Sequence, residues 1–215
     1  MLTLKQFDVE LLRIQLEDIE LVRKWRNEAY IANQMIYRDF ITESMQLNWF
    51  YSVNNAENYY FIIRYKGQKV GLINAKDYQE NKGFGEGGIF IGEKEFEDSF
   101  AAVFASLCLL NFVFYMLPHI TKSRIRVLKS NIRAIQYNKL LGYQEIDGAA
   151  NTYDQLFELS RINYLQQGLK LNKVASLYCE GSNLMELSGT AEPINMHEIN
   201  ELLKAKIPPM AIPGL

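Results

Sequence analysis

Apolar and polar positions along this chain change period several times, and each change predicts an element. Leu11, Leu12 and Ile14 predict a short first strand. Glu17 and Asp18 then favour a helix start, because negative charge suits the positive end of the helix dipole. Ile19, Val22, Trp25 and Ala29 recur at helical spacing. A second helix is predicted after Thr42, a good N-cap, and carries Met45, Trp49 and Phe50. Tyr59 to Tyr65 is dense in aromatic and β-branched residues and predicts a strand. Lys66-Gly67-Gln68 turns the chain into a partner strand over Val70 to Ala75.

Phe84 to Ile91 predicts the next strand. An apolar helix follows from Ser99 to Leu117, closed by Pro118, which cannot continue it. Arg124 to Leu128 alternates as a strand does. Asn131 starts a helix that Gly142 ends, since glycine tolerates the positive φ of a helix C-terminus. Asp154 to Leu159 predicts a further strand, and Tyr164 to Tyr178 a helix despite Gly168. The sum is an α/β (α+β) sandwich around a mixed sheet. Gly181-Ser182-Asn183 breaks the pattern, which divides the chain into a domain over residues 1–180 and a C-terminal extension over 181–215. The extension carries a short strand, Leu184 to Leu187, and a short helix with Ile199, Leu202 and Leu203 on one face. Asn195-Met196-His197-Glu198 opens that helix with capping-box spacing. Its end, Ile207 to Leu215, is apolar and proline-rich. Such an end packs either on its own domain or on a second copy of the chain, as a homodimer.

Composition narrows the picture. An apolar content of 48% with 22% charge fills a core in a chain of 215 residues. A net charge of -2 gives no reason to expect nucleic acid as a partner. Ala101 to Leu117 is interrupted by Ser106, Cys108 and Asn111 and is shorter than the roughly 20 residues of a membrane span, so a buried core helix is expected and no membrane partner. The first ten residues have no cleavable apolar core, which points to the cytoplasm. Cys108 and Cys179 have no paired spacing, and His119 and His197 do not complete a ligand set with them. Neither a disulfide framework nor a metal is expected.

Three segments carry a resemblance. They are Leu21-Val22-Arg23-Lys24-Trp25-Arg26-Asn27 with Ile41-Thr42-Glu43 and Trp49-Phe50; Glu86-Gly87-Gly88-Ile89-Phe90-Ile91; and the helix from Asn131 to Tyr143. In order and spacing they resemble the GNAT N-acetyltransferases, in the branch with ribosomal-protein-alanine and nucleotide-amino-sugar acetyltransferases. The resemblance spans about residues 8 to 178. It implies a mostly antiparallel sheet flanked by helices, with acetyl-CoA as co-substrate in a cleft where two central strands part. Ile89, Phe90 and Ile91 would hold the pantetheine arm by their backbone. The acceptor amine would lose a proton and attack the thioester carbonyl, and CoA thiolate would leave.

Residue by residue, the family's pyrophosphate loop falls on Glu97-Asp98-Ser99-Phe100-Ala101-Ala102. Ser99, Phe100, Ala101 and Ala102 would contact the cofactor. Ala102 matches the family pattern, whereas Glu97 reverses the expected charge and Phe100 replaces a glycine. Between Glu80 and Ser99 stand Glu80, Glu86, Glu93, Glu95, Glu97 and Asp98 against Lys82 and Lys94. These acids either repel a pyrophosphate or turn outward into solvent. The basic run Lys122, Arg124, Arg126, Lys129, Arg133 and Lys139 is either a partner for the 3′-phosphate of CoA or an ordinary surface. Asn131 and Ala134 match positions along the cofactor, and Asn131 is equally a helix cap. Asn138 falls where the family places a tyrosine acid, with Tyr137 one residue earlier. Glu86 is the expected general base, or else a surface strand residue. Trp25, Arg26 and Asn27 would edge the acceptor pocket, with Tyr30, Tyr37, Arg38 and Trp49 as weaker candidates; Trp25 reads otherwise, and more readily by its spacing, as a core anchor. Arg26 would pair with an acceptor's phosphate or carboxylate, or tie two helices together.

Three functional readings follow from the resemblance. The first is an acetyl-CoA-dependent N-acetyltransferase acting on a small-molecule amine, such as an amino sugar, or on a peptide or protein N-terminus. The second is a weak or silent module that works by binding. The third is an acyltransferase with another donor, such as an acyl carrier protein.

Overall fold

The computed structural model describes residues 1–79, 83–117, 119–146, 153–192, 194 and 196–213. Two strands, β1 (Thr3–Phe7) and β2 (Val9–Arg13), open it as an antiparallel pair running from Thr3↔Leu12 to Gln6↔Val9. The apolar pattern predicts only the second. In β1 the buried positions include Gln6, which is inside for its hydrogen bonds rather than for apolar contact.

Helices α1 (Ile19–Asn27), α2 (Ala29–Ala32) and α3 (Glu43–Val53) follow. Extended Glu28 separates the first two, so the helical spacing through Ala29 spans a break. Thr42 caps α3 as expected, accepting the Met45 N–H at 3.3 Å. Strands β3 (Tyr59–Tyr65), β4 (Gln68–Gln79) and β5 (Phe84–Ile91) form a meander. β4 outruns its expected bounds at both ends, because a ladder needs only backbone groups and polar residues extend it. Next come α4 (Ala101–Asn111), whose last turn widens to π-helical bonding over Phe112–Met116, and then β6 (Lys122–Leu128) and α5 (Ile132–Leu140). Gly142, with φ of 99°, ends α5. β7 (Gln144–Glu145), β8 (Asp154–Ser160), α6 (Arg161–Asn163), α7 (Leu169–Tyr178), β9 (Ser182–Ser188) and α8 (His197–Lys204) complete the chain. The roles expected of Pro118 and Asn195, the charges of Glu80 and Lys82, and the last two residues of the tail lie outside the described residues.

The nine strands among the described residues form one sheet, ordered β7-β8-β6-β5-β4-β3-β2-β1-β9. Every neighbouring pair is antiparallel except β5–β6. A core lies on each face. Tyr59, Phe61, Ile63 and Tyr65 of β3 join one core with α4, α5 and α7; Tyr60 and Ile62 join the other with α1 and α3. This division explains why β3 reads as a continuous apolar run: both its faces are covered. No helix among the described residues is long and apolar enough to cross a membrane.

A buried polar network ties the first core together. Asn111 of α4 donates to Gln6 of β1 at 2.8 Å and to Asn172 of α7 at 2.7 Å, and accepts from the Tyr164 hydroxyl at 2.7 Å. Gln6 in turn donates to the Asn183 carbonyl at 2.8 Å. The Asp8 carboxylate accepts the Glu180 and Gly181 N–H groups, which turns the chain into β9. β9 adds to β1 at the sheet edge. Met185 and Met210 bond reciprocally at 2.9 and 2.8 Å, and Ile212 is buried, so the proline-rich end packs on its own chain.

Two outcomes are expected. Asn111→Leu removes the partner of Gln6 Oε1, of Asn172 Oδ1 and of the Tyr164 hydroxyl proton, and should cost about 3 kcal/mol in urea unfolding; an unchanged midpoint would contradict the network. Glu158 is half-exposed between Lys122 and Arg124. Burial raises its pKa, but hydrogen bonds and charge from both cations outweigh that and hold it below 4.5. Its folded pKa is depressed, so its contribution is complete above the unfolded value and is lost as pH falls through the folded one. Glu158→Gln should therefore flatten the loss of stability below pH about 4.5, measured by urea melts across pH 3 to 7.

Candidate functional site

β5 and β6 stay together only from Phe84↔Lys122 to Gly87↔Ile125. Beyond that point Gly88 to Ile91 remain bonded to β4, through Asn74 to Gly71. Arg126 to Leu128 remain bonded to β8, through Leu156 to Asp154. The sheet forks, and the inner edges of the two strands carry no ladder partner among the described residues. The fork opens a cleft of about 1020 Å³. It passes from the α4–α5 face, at Ala102, Ser106 and Tyr137, to the α1–α3 face, at Arg26, Tyr30 and Trp49. Small-ligand pockets usually hold about 300–1,000 Å³, so this one has room for two reactants.

On the first face the cleft meets the N-terminus of α4. The Ala101 N–H bonds Ser99 Oγ at 3.2 Å, and the Phe104 N–H bonds the Phe100 carbonyl at 2.9 Å. For the intervening N–H groups of Ala102 and Val103, both at the cleft wall, no partner is described. Free helix-start donors and the positive dipole end favour an anion there. Two expected contacts are corrected. The ring of Phe100 turns away from the cleft, stacked on Phe104 at 5.5 Å and Tyr178 at 5.1 Å. Ala101 is fully buried and also off the cleft wall. Each helical step rotates a side chain by about 100°, so only part of a contiguous run can face one ligand. Ser99 and Ala102 do line the cleft.

The last two acids of the loop are met from across the mouth. Arg133 of α5 reaches Asp98 Oδ1 at 2.7 Å, the Glu97 carbonyl at 3.0 Å and Glu97 Oε1 at 3.5 Å. The rest of the basic run is not a free patch. Lys122 and Arg124 pair with Glu158 at 2.7 and 2.9 Å, and Arg126 pairs with Asp154 at 2.7 Å.

Along α5, Asn131 accepts the Ala134 N–H at 3.0 Å and caps the helix, and both residues line the cleft. Asn138 lines it too and donates to the Ala134 carbonyl at 2.8 Å. The Tyr137 hydroxyl donates to the Ala102 carbonyl at 3.0 Å. Burial raises its pKa far above the ordinary value, against a hydrogen bond with Ser106. Nearby, Tyr143 shares a 2.7 Å hydrogen bond with Ser123, and burial pushes its phenol up to about 12.

On the second face Glu86 sits opposite Lys76 in the β4–β5 ladder, 3.1 Å from its ammonium. Burial disfavours the charge on Lys76, yet Glu86 more than compensates and raises its pKa. Tyr30 bonds the Gly92 carbonyl, and Trp49 packs edge-on against Tyr60 with centroids 5.1 Å apart. Arg26 donates to the Tyr37 carbonyl at 3.2 Å, and its Nε is buried without a partner. Asn27, expected at the acceptor pocket, is not on the cleft wall: its amide bonds the Ile41 backbone at both ends, at 2.9 and 2.8 Å. Tyr37 lines the cleft and Arg38 does not. Trp25 is a core anchor, 4% exposed, donating to Glu93 at 2.8 Å. Gly92 makes room for it, since a Cβ there would lie 2.2 Å from the indole. The pattern of the sequence misses Lys76, Tyr143 and Gln46 as site residues; pairing register and α3 orientation bring them there. Among the described residues no cluster of three His, Cys, Asp or Glu side chains could hold a metal ion.

No protein-family model and no curated protein matches the sequence. Solved structures do match. One is apo FdhC, a nucleotide-linked sugar GNAT, at 21% identity over 83% of this chain and 98% of that one, with a TM-score of 0.66. Another is spermidine N-acetyltransferase from Vibrio cholerae in complex with CoA and spermine, at 15% identity over 74% and 98%, TM-score 0.63. A third is the microcin C7 self-immunity acetyltransferase MccE in complex with acetyl-CoA and AMP, at 16% identity over 71% and 92%, TM-score 0.61. The chain has the fold of these GNAT proteins.

The stacked placement of Phe100 has a measurable consequence. Phe100→Ala should cost about 1 kcal/mol of stability through the lost ring contacts. A denaturation midpoint equal to that of the parent would place the ring elsewhere.

Proposed function

We propose that this protein is an acetyl-CoA-dependent N-acetyltransferase acting on the primary amine of a small molecule, or on a peptide or protein N-terminus. The observation that carries the reading is the β5–β6 fork, which joins a helix N-terminus on one face of the sheet to a half-buried pocket on the other. Two structures of this fold hold CoA or acetyl-CoA, which supports the same ligand here.

The residues present fit such a ligand. The free edge of Gly88 to Ile91 offers backbone donors and acceptors to the pantetheine amides. The Ala102 and Val103 N–H groups offer an anion site for the pyrophosphate, with Ser99 beside them. Asn131 and Ala134 line the α5 side. Acetyl-CoA supplies an activated thioester, whose carbonyl carbon is the electrophile. The chain supplies positioning and proton handling. Glu86 accepts the amine's proton, directly or through one water, and Lys76 fixes its carboxylate at the fork. Tyr137 holds a proton at Oη at neutral pH, because burial raises its pKa. Asn138 stands beside it on the same wall. Tyr30, Trp49 and Arg26 shape the acceptor side.

One observation favours a second reading, a module that binds without turnover. Arg133 is committed to Glu97 and Asp98 at the mouth of the cleft, and so is engaged before any phosphate arrives. The acyl-carrier reading loses support, because Lys122, Arg124 and Arg126 already pair with acids of β8.

Sub-millimolar acetyl-CoA should raise the melting temperature, since a ligand that binds only the native state stabilises it by mass action. Thiol release over an amine panel then separates turnover from binding. Glu86→Gln should lower kcat about 10²-fold while keeping the acetyl-CoA thermal shift. An undiminished rate removes Glu86 as the base, and no shift with acetyl-CoA or CoA overturns the reading.

A further inference from the structure

The charges lining the cleft are almost all spoken for. Lys76 pairs with Glu86, Arg133 with Glu97, Lys122 with Glu158 and Arg126 with Asp154. Arg26 is the exception: among the described residues no carboxylate lies within ion-pair distance of it. Its side chain is half-buried, its Nη2 reaches only the Tyr37 carbonyl, and its buried Nε has no partner. Burial lowers its pKa, with only Tyr60 acting the other way. A guanidinium presents five N–H donors and no acceptor. Leaving it withdrawn and unpaired is costly.

A second, independent donor faces the same space. Gln46 of α3 is 4% exposed, lines the cleft, and its Nε2 has no partner. Among the described residues, the buried side-chain atoms of the cleft wall that lack partners are these two nitrogens, and both are assigned as donors. Both belong to the α1–α3 face, the face that also carries Glu86 and Lys76. The unmet hydrogen-bonding groups of this wall are therefore donors, and one of them belongs to a positive charge.

We propose that the acceptor is an amine that also carries an anionic group, a phosphate or a carboxylate, bound by Arg26 with Gln46 as the neutral donor. This rests on the acetyltransferase reading above and names its substrate class. Arg26 is then the specificity-determining residue. A guanidinium grips either anion through two parallel N–H···O bonds, and its partial desolvation strengthens the contact. The same charge repels polycationic amines, so spermidine should be a poor acceptor. The chemistry itself is ordinary acyl transfer. The amine nitrogen bonds to the acetyl carbon, the C–S bond breaks, CoA leaves as thiolate, and the amine proton passes to Glu86.

The test uses the full chain and amines matched in pairs. Glucosamine 6-phosphate against glucosamine reads phosphate, β-alanine against propylamine reads carboxylate, and spermidine reads the opposite charge. Initial rates of thiol release give kcat/KM, and thermal shifts with each amine in the presence of CoA give binding independently of turnover. The charged member of at least one pair should exceed its neutral partner by tenfold or more in kcat/KM. Arg26→Met should collapse that ratio toward one, and Arg26→Lys should retain part of it, which a merely structural role would not do. Acetyl-CoA should shift both variants, which shows that they are folded. Equal use of charged and neutral members, preference for spermidine, or no acceptor-dependent shift at all overturns the proposal. Absence of any acetyl-CoA shift overturns instead the reading on which it rests.

Discussion

A short parallel contact between β5 and β6 governs this structure. Four residue pairs join the strands, and then each follows its other neighbour, β5 with β4 and β6 with β8. A parallel pairing is somewhat less stable per residue than an antiparallel one, so the sheet parts where it loses least. The two antiparallel arms keep most backbone groups satisfied, and a separate apolar core on each face holds them apart. The open inner edges are the cost of the fork, and polar main chain in a cleft wall is what an amide-bearing ligand can use.

The electrostatics follow the same division. Three cations of β6 are held by two acids of β8, so none of the three is free. Arg133 holds Glu97 and Asp98 ahead of α4, where the dipole and free N–H groups of that helix also act. Among the described cations that line the cleft, only Arg26, on the α1–α3 face, stands without a counter-ion. The two ends of the cleft thus differ in kind: main-chain donors at one, side chains at the other.

Much of the fold was legible in the residues. β3, β5, the cap at Thr42 and the stop at Gly142 follow from local patterns that the tertiary structure leaves intact. β1 was not legible, because Gln6 is buried for a polar network whose members lie more than a hundred residues away. The site was legible in part for the same reason. Glu86, Asn131 and Ala134 line the cleft, whereas Phe100 and Asn27 do not. Which way Phe100 turns depends on Tyr178, and what Asn27 bonds depends on Ile41; neither partner is announced by spacing. Lys76 joins Glu86 only through the register of a hairpin.

The network around Asn111 also bears on the order in which the protein can be completed. β1 precedes every other strand in the sequence, yet its outer edge pairs with β9, and Gln6 donates a hydrogen bond to the Asn183 carbonyl. During synthesis, β1 must therefore wait, one side unsatisfied, until Asn183, 177 residues after Gln6, has emerged. Strands far apart in the sequence close this edge together, and the residue that makes β1 hard to read is one that ties it to its latest partner.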